Sequence, residues 1–461
     1  MPEDQQPAPG ATRAFTGAVD FVQHVRFVDL PDDVVAQARH CLLDLIGVAA
    51  AGSRTTGAQI ALHYAATQMK SSDGEARILL DGRRAGAAGA AFAAATMIDA
   101  FDAHDGHALT KGHAGVAVLP ALLAFVDSGH ACDDREFLTC LVIGYEIGTR
   151  AGIALHSSVA DYHCSGAWNA LACAAIGARL LGLSDAQLRH ALGAAEYLGP
   201  RGQILRVCDT PSMLKDGSSW GAQGGVTAAL LARAGFTGAP ALTVERDDAA
   251  SLWTDLGARW RIREQYFKAY PVCRWAQPAV EAALALQRAH AFAAEDIAKI
   301  ALESFREAVA LGAGCAVPAN TEQAQYSITH PVAAALAFGR IGHEELEMPK
   351  LADARVRRLL TLMSLVEDAE FSRRFPAERW ARVRVTLADG RELVSQPAIA
   401  RGNPENPLTG DEIRDKFRAL TEPVLGAAAS ERIEHAVDTL AVGAGSLPAL
   451  LEHILSAPSR R

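Results

Sequence analysis

The sequence predicts a mainly α protein: a large all-helical domain built from both chain ends plus a smaller α+β lid domain. Three observations carry this expectation. The chain has 461 residues, more than the roughly 250–300 at which a single core stops growing, so two domains are expected. From Pro31 to about Gly235 apolar residues recur three and four apart, the period of amphipathic helices. After about Tyr266 the texture changes to alternating and β-branched stretches.

The elements follow in order. Pro31-Asp32-Asp33 opens a helix with proline and early acids, Val34, Ala38, Cys41, Leu42, Leu45 and Ile46 form its apolar face, and Gly52 stops it. Ala85 to Ala100 is the most apolar stretch, but it is interrupted by Asp99 and shorter than the ~20 residues a bilayer requires, so it reads as a buried helix. Ser184-Asp-Ala-Gln187 fits a capping box that starts a helix running to Leu198. Ala, Gly and Ser are dense at 85–96, 165–182 and 221–235, which lets helix backbones approach closely.

Residues 297–305 and 382–387 read as strands, the second leading through Ala388-Asp389-Gly390 into a hairpin partner at 391–395. Helices are expected at 331–338 and 353–363 between them. After the turn-rich Asn403-Pro404-Glu405-Asn406-Pro407, Thr409 caps a helix and the chain ends helically. The expected division is therefore 1–266 with 404–461 as the helical domain and 267–403 as the α+β lid.

Half of the residues are hydrophobic and 21% charged, the composition of a chain that buries a large core. The net charge of −9, with no basic tract, opposes a general affinity for nucleic acid or an anionic membrane surface. It does not oppose an anionic substrate, which needs only a local cationic pocket. The eight cysteines contain no CxxC pair and read as reduced thiols, and residues 1–14 lack the apolar core of a signal peptide, so a cytoplasmic location is expected.

Ionisable residues concentrate in four places. Asp102-Ala-His104-Asp105-Gly106-His107 is followed by Lys111-Gly112-His113 and then an apolar helix. Asp161-Tyr162-His163-Cys164-Ser165 precedes an alanine-rich helix whose positive N-terminal end disfavours an imidazolium at His163. Lys215-Asp216-Gly217 precedes another small-residue helix. Lys268-Ala-Tyr270-Pro271-Val272-Cys273-Arg274 falls at the expected domain junction. Each cluster has competing readings: caps that satisfy helix ends, a metal site for the first, or acid–base and anion-holding groups.

In order and spacing these residues resemble the MmgE/PrpD family, which contains 2-methylcitrate dehydratases, cis-aconitate decarboxylases and iminodisuccinate epimerases. The matching pieces are Asp102, Asp105, Gly112-His113 and Val118-Leu119-Pro120; Gly144-Tyr145-Glu146; His163 with Leu180-Leu181-Gly182-Leu183; Met213-Leu214-Lys215; Leu230-Leu231-Ala232 to Gly235-Phe236-Thr237-Gly238; Lys268-x-Tyr270-Pro271-x-Cys273; and Gly402 to Leu408. The resemblance implies a helical domain with a lid, a cofactor-independent site without metal in the cleft between them, a small polycarboxylate substrate and a homodimer. Functional residues fall by position on Asp102, His113, His163, Lys215 and Lys268.

On that basis His113 and His163 are expected to be base and acid, and Asp102 to orient an imidazole. Lys215, Lys268 and Arg274 are expected to hold substrate carboxylates, where a preplaced cation stabilises the charge that proton removal builds. Cys273 beside Arg274 and Lys268 is expected either to line the substrate site, itself an acid or base as a thiol of lowered pKa, or to be a small buried residue. Gly106 stands where many members have threonine, Cys273 where the animal decarboxylase has histidine, and His330 in place of a tyrosine. These departures weaken decarboxylation most. The leading expectation is a lyase of the 2-methylcitrate dehydratase type; an epimerase using the extra histidines His107 and His330 comes next, then a decarboxylase, then a non-enzymatic binding protein.

Overall fold

A computed structural model describes residues 12–72, 74–442 and 445–457. Most of the polar N-terminal stretch, residues 1–11, lies outside the described residues. The chain divides into two units: one runs to Ile204, resumes over Lys215–Tyr266 and returns from Thr409 onward; the other comprises Leu205–Leu214 and Phe267–Leu408.

The first unit is a stack of helices. Asp32–Gly52 begins directly after Pro31, ends at Gly52, and buries Val34, Ala38, Cys41, Leu42, Leu45 and Ile46. The helix Gly410–Leu425, from the returning end of the chain, packs on it, with its first turn closed by a reciprocal box between Thr409 and Glu412. The same device, Ser184 with Gln187, opens Asp185–Leu198. The alanine-rich stretch forms the buried helix Ala87–Asp99. Asp32–Gly52 and Asp134–Ser158 are long and apolar enough to cross a membrane, but their apolar windows are 78% and 100% buried, as core helices are.

Small residues set the closest packing. Ser218–Arg233 lies against Gly166–Leu180, and a Cβ placed on Gly221 would stand 2.1 Å from Asn169 Oδ1 and 2.8 Å from the Gly166 Cα. Gly221→Val is therefore expected to destabilise the protein by about 1–3 kcal/mol through overpacking, read as a lowered urea midpoint; an unchanged midpoint would mean the two helices separate freely.

The second unit carries the sheet. Its strands are ordered Met363–Glu367, Ile297–Ser304, Trp380–Leu387 and Glu392–Val394, with Ala398–Ile399 also on Trp380–Leu387. The first pair is parallel and the rest antiparallel. Ile300 stands opposite Val385 and Leu302 opposite Val383. Trp380–Leu387 alternates half-buried and buried residues, with one face against the helix Gln277–His290. Gly390, at φ 89°, makes the hairpin turn. Thr329–Phe338 and Ala354–Thr361 are the helices expected between the strands.

Two boundaries differ from expectation. Residues 205–214 belong to the second unit rather than the helical domain, and the return to the first unit comes at Thr409 rather than residue 404. The short helix Ile204–Asp209 buries none of its residues, so no apolar periodicity marks its allegiance.

Candidate active site

The first unit gathers an acid–base cluster around the segment 99–113. Asp99 ends the helix Ala87–Asp99, and the chain then turns through Asp102 and His104, both buried. A short antiparallel pairing of Gly106–His107 with Gln265–Tyr266 and a bridge between His107 and Gly112 close the loop. His113 emerges two residues before the apolar helix Gly115–Asp127. The His104 and His113 rings lie 4.2 Å apart, centre to centre, and one donor atom each from Asp102, His104 and His113 lie within 4.8 Å of one another.

His113 is held on several sides. Its Nδ1 is 2.5 Å from the Asp105 carbonyl. A carbonyl only accepts, so Nδ1 carries a proton, and in the neutral ring the lone pair is on Nε2. The His113 amide donates to Ser165 Oγ at 2.8 Å and its carbonyl accepts from Asn169 Nδ2 at 3.2 Å. Ser165 in turn donates to the Asp216 carboxylate, which also takes the Ser165 amide at 3.0 Å. The site thus joins segments 51 and 52 residues apart in sequence.

Lys215 precedes that carboxylate, buried and at φ 48°. Lys111, near His113, sits at φ 53°. Left-handed backbone is uncommon outside glycine and asparagine, and it persists where the surroundings over-determine it, often at functional sites. Lys215 also acts electrostatically on Asp99: burial pushes the Asp99 carboxyl well above its usual range, neighbouring Asp216 and Asp102 push the same way, and the Lys215 ammonium opposes them.

Beneath the loop lies a second polar layer. Lys416 on Gly410–Leu425 donates to Asp44 at 2.5 Å and to the Ala103 carbonyl at 2.6 Å. The Tyr145 hydroxyl donates to Asp105. Burial first, and the Asp44 charge second, raise the Asp105 carboxyl to about 7. Gly106 is required by this packing, since a Cβ there would stand 2.5 Å from the Tyr266 hydroxyl and 2.7 Å from His113 Nδ1. Threonine at 106 therefore demands a different placement of both rings.

The sequence-expected residues distribute as follows. Asp102 and His113 are brought together, with Lys215 in the same surroundings. His163 stands on the loop that carries Ser165, its Nδ1 3.3 Å from the Arg201 carbonyl and its ring stacked at 6.5 Å on His156. His107 is engaged otherwise: Nδ1 accepts the Leu109 amide at 3.2 Å, and Nε2 donates to Glu264 at 3.1 Å. In the second unit Lys268 is buried, and the half-buried Cys273 donates its amide to the Gln325 carbonyl at 2.7 Å. Arg274 donates to Gln277, to the Arg401 carbonyl and to Asn403. His330 is fully buried; its amide donates to Ser327 Oγ, its Nε2 donates to the Glu345 carbonyl at 2.9 Å, and burial lowers its pKa.

The extra histidines expected to suit an epimerase are thus engaged within the protein, His107 through both ring nitrogens and His330 through Nε2. The His107 ring fixes a turn, and the His330 ring ties its helix to the Glu345 carbonyl. His104, Ser165, Asp216 and Asn169 are what the sequence reading left unassigned. All but Asn169 stand inside the polar clusters noted in the sequence, but nothing in the spacing says which members meet.

The fold and this cluster define a two-domain helical protein with a buried histidine–carboxylate–lysine site. The chain matches the MmgE/PrpD N-terminal domain over residues 18–257 and the MmgE/PrpD C-terminal domain over residues 270–441. It belongs to the MmgE/PrpD family. A cis-aconitate decarboxylase-like protein, oryM, of Aspergillus oryzae is 26% identical, the alignment covering 92% of this chain and 94% of that protein. The 2-methylcitrate dehydratase of Cupriavidus necator is 29% identical over 48% of this chain and 50% of its own length. The cis-aconitate decarboxylase of Aspergillus terreus is 26% identical over 36% and 35%.

Proposed function

We propose that the protein is a lyase that dehydrates a small hydroxy di- or tricarboxylate, in the manner of a 2-methylcitrate dehydratase. The observation that carries this reading is the His113 tautomer: Nδ1–H is anchored on the Asp105 carbonyl, which in the neutral ring puts the lone pair that a base needs on Nε2. In the proposed step Nε2 takes the proton from the carbon next to a carboxylate. The C–H electron pair forms the new double bond, the neighbouring C–O bond breaks, and the hydroxyl leaves as water with a proton from an acid, for which His163 is the candidate. Lys215 offsets the negative charge that builds on the carboxylate, where a fixed cation needs no solvent reorganisation.

Incubation with 2-methylcitrate and related hydroxy-acids is expected to produce ultraviolet absorbance from the new alkene; silence across the panel sinks the reading. Decarboxylation is the second reading, because the relative aligned over 92% of this chain carries that name. Release of carbon dioxide from cis-aconitate would select it. Exchange of solvent deuterium into a dicarboxylate without alkene would select an epimerase instead.

Ser165 positions His113 through its backbone amide. Ser165→Ala is expected to lower kcat about tenfold with little change in KM, because it loosens the base without touching substrate binding. An equal change in both constants would place Ser165 in binding.

We also propose that the enzyme works in the cytoplasm as a homodimer. All eight cysteines are free thiols, which suits a reducing compartment, and light scattering is expected to give twice the protomer mass.

A further inference from the structure

We propose that His156 is the positioning residue of His163: its neutral imidazole accepts the His163 amide and so holds in place the ring that supplies the acid of the proposed step. The inference rests on that reading of His163, and its first test is made without substrate.

The segment around His163 is tied on both edges. On one edge it pairs with residues 202–204: the Cys164 amide donates to the Gly202 carbonyl at 2.7 Å and the Ile204 amide to the Tyr162 carbonyl at 2.9 Å, with His163 opposite Gln203. Backbone groups alternate sides along such a segment, so the His163 amide points to the other edge. There it donates to His156 Nε2 at 3.1 Å. The two rings lie nearly parallel, 11° apart, with 6.5 Å between centres. His163 Nδ1 is 3.3 Å from the Arg201 carbonyl, which only accepts, so Nδ1 carries a proton and Nε2 is the nitrogen left to act on a substrate. A residue that fixes the His163 backbone on one edge therefore fixes where that nitrogen points.

The bond also sets the ionisation state of His156. A backbone N–H only donates, so Nε2 must keep its lone pair, and the ring accepts only while it is neutral. His156 stands in the last turn of the helix Asp134–Ser158, where the negative helix end ordinarily favours an imidazolium that donates to a carbonyl. Here the ring accepts from another segment instead. Burial first and the Lys111 ammonium second bring its pKa down to about 4, against the pull of the Thr110 backbone. Lys111 comes from the loop that leads to His113, its Nζ 4.6 Å from the centre of the Tyr162 ring, and that ring meets His156 edge-on at 6.0 Å. Among the described residues, Lys111 from one loop and Tyr162 and His163 from the other are the ionisable groups that face His156.

Neutrality has a second consequence. An imidazolium lying parallel to His163 would repel the charge that an acid of this type must carry. A neutral His156 leaves His163 able to hold its proton until the leaving hydroxyl needs it.

The test uses the full chain with isotope-labelled histidine, without substrate, and follows the ring signals of His156 and His163 against pH; each is assigned by its absence when that histidine is replaced by Gln. In the unmodified chain His156 is expected to stay neutral from about pH 5.5 to about pH 9, with its proton on Nδ1; a midpoint inside that range overturns the proposal. His156→Leu cannot accept the amide and is expected to lower the His163 midpoint by at least about half a pH unit, because a loosened segment weakens the hold of the Arg201 carbonyl on the imidazolium. His156→Gln places an amide oxygen where Nε2 stood and is expected to keep that midpoint. With 2-methylcitrate as substrate, kcat is expected to fall about tenfold in His156→Leu with little change in KM, and to return to within about twofold in His156→Gln. Circular dichroism checks that the variants fold. Equal losses in the two variants, or a His163 midpoint that His156→Leu leaves in place, overturn the proposal. A chain that leaves 2-methylcitrate untouched refutes the proposed reaction instead, and the His163 midpoint still decides whether His156 positions that ring.

Discussion

His113→Asn is expected to lower kcat about a thousandfold, within the 10²–10⁴ span typical of a positioned general base, while the thermal midpoint shifts by only a few degrees. The ring is half-buried, and two of the residue's hydrogen bonds run through its backbone: the amide on Ser165 and the carbonyl on Asn169. Asparagine keeps both of those. It also offers a side-chain donor for the Asp105 carbonyl, so the substitution removes the proton acceptor while keeping these three hydrogen bonds. A variant that loses activity only in proportion to its stability would show that His113 is a structural residue. In the wild-type enzyme the same role predicts that kcat falls on the acid side, because an imidazolium has no lone pair to take a proton. That acid limb should vanish from the residual activity of His113→Asn.

The contrast with Ser165→Ala separates chemistry from placement. Ser165 accepts from the amide of residue 113, so its loss tilts the base without neutralising it. The pH profile of Ser165→Ala is therefore expected to keep its acid limb at lower height.

Much of the fold could be read from local chemistry. The helix Asp32–Gly52 announces itself through Pro31, two early acids and a three-four spacing of apolar residues, all of which act within one or two turns. The boxes at Ser184 and Thr409 are equally local, as is the turn at Gly390. The segment 205–214 was not legible because it buries nothing of its own helix. In the site, Asp102 and His113 were legible because they stand in one dense polar stretch and match a family pattern. The partnership of His113 with Ser165 and Asp216 was not, since those contacts join residues 51 and 52 apart. His107 is the converse case: it has the right residue type in the right stretch, but its partner Glu264 lies 157 positions away, so nothing local in the sequence shows that contact.

Asp105→Asn is expected to change how stability depends on pH. Asp105 is fully buried; that burial is the largest cause of its raised pKa, the Asp44 charge adds to it, and hydrogen bonds from Tyr145 and Cys41 oppose it, leaving the carboxyl at about 7 against an ordinary 3.8. The folded state thus binds this proton more tightly than the unfolded chain does. Its contribution is fully present below pH 3.8 and is lost as pH rises to about 7, since between those values unfolding releases a proton. The difference corresponds to about 4 kcal/mol at 1.36 kcal/mol per unit. Asparagine occupies nearly the same volume, can accept from the Tyr145 hydroxyl and never ionises. The stability of Asp105→Asn relative to wild type should therefore rise with pH, by as much as about 4 kcal/mol between pH 4 and pH 8, in urea unfolding at several pH values. Glu146, raised to about 7 by the same burial, titrates in the same window and accounts for slope that survives in Asp105→Asn. A pH-independent difference between the two proteins would mean that Asp105 is ionised in the folded state throughout. In that case Lys416, which bridges Asp44 and the Ala103 carbonyl, would have to neutralise both carboxylates.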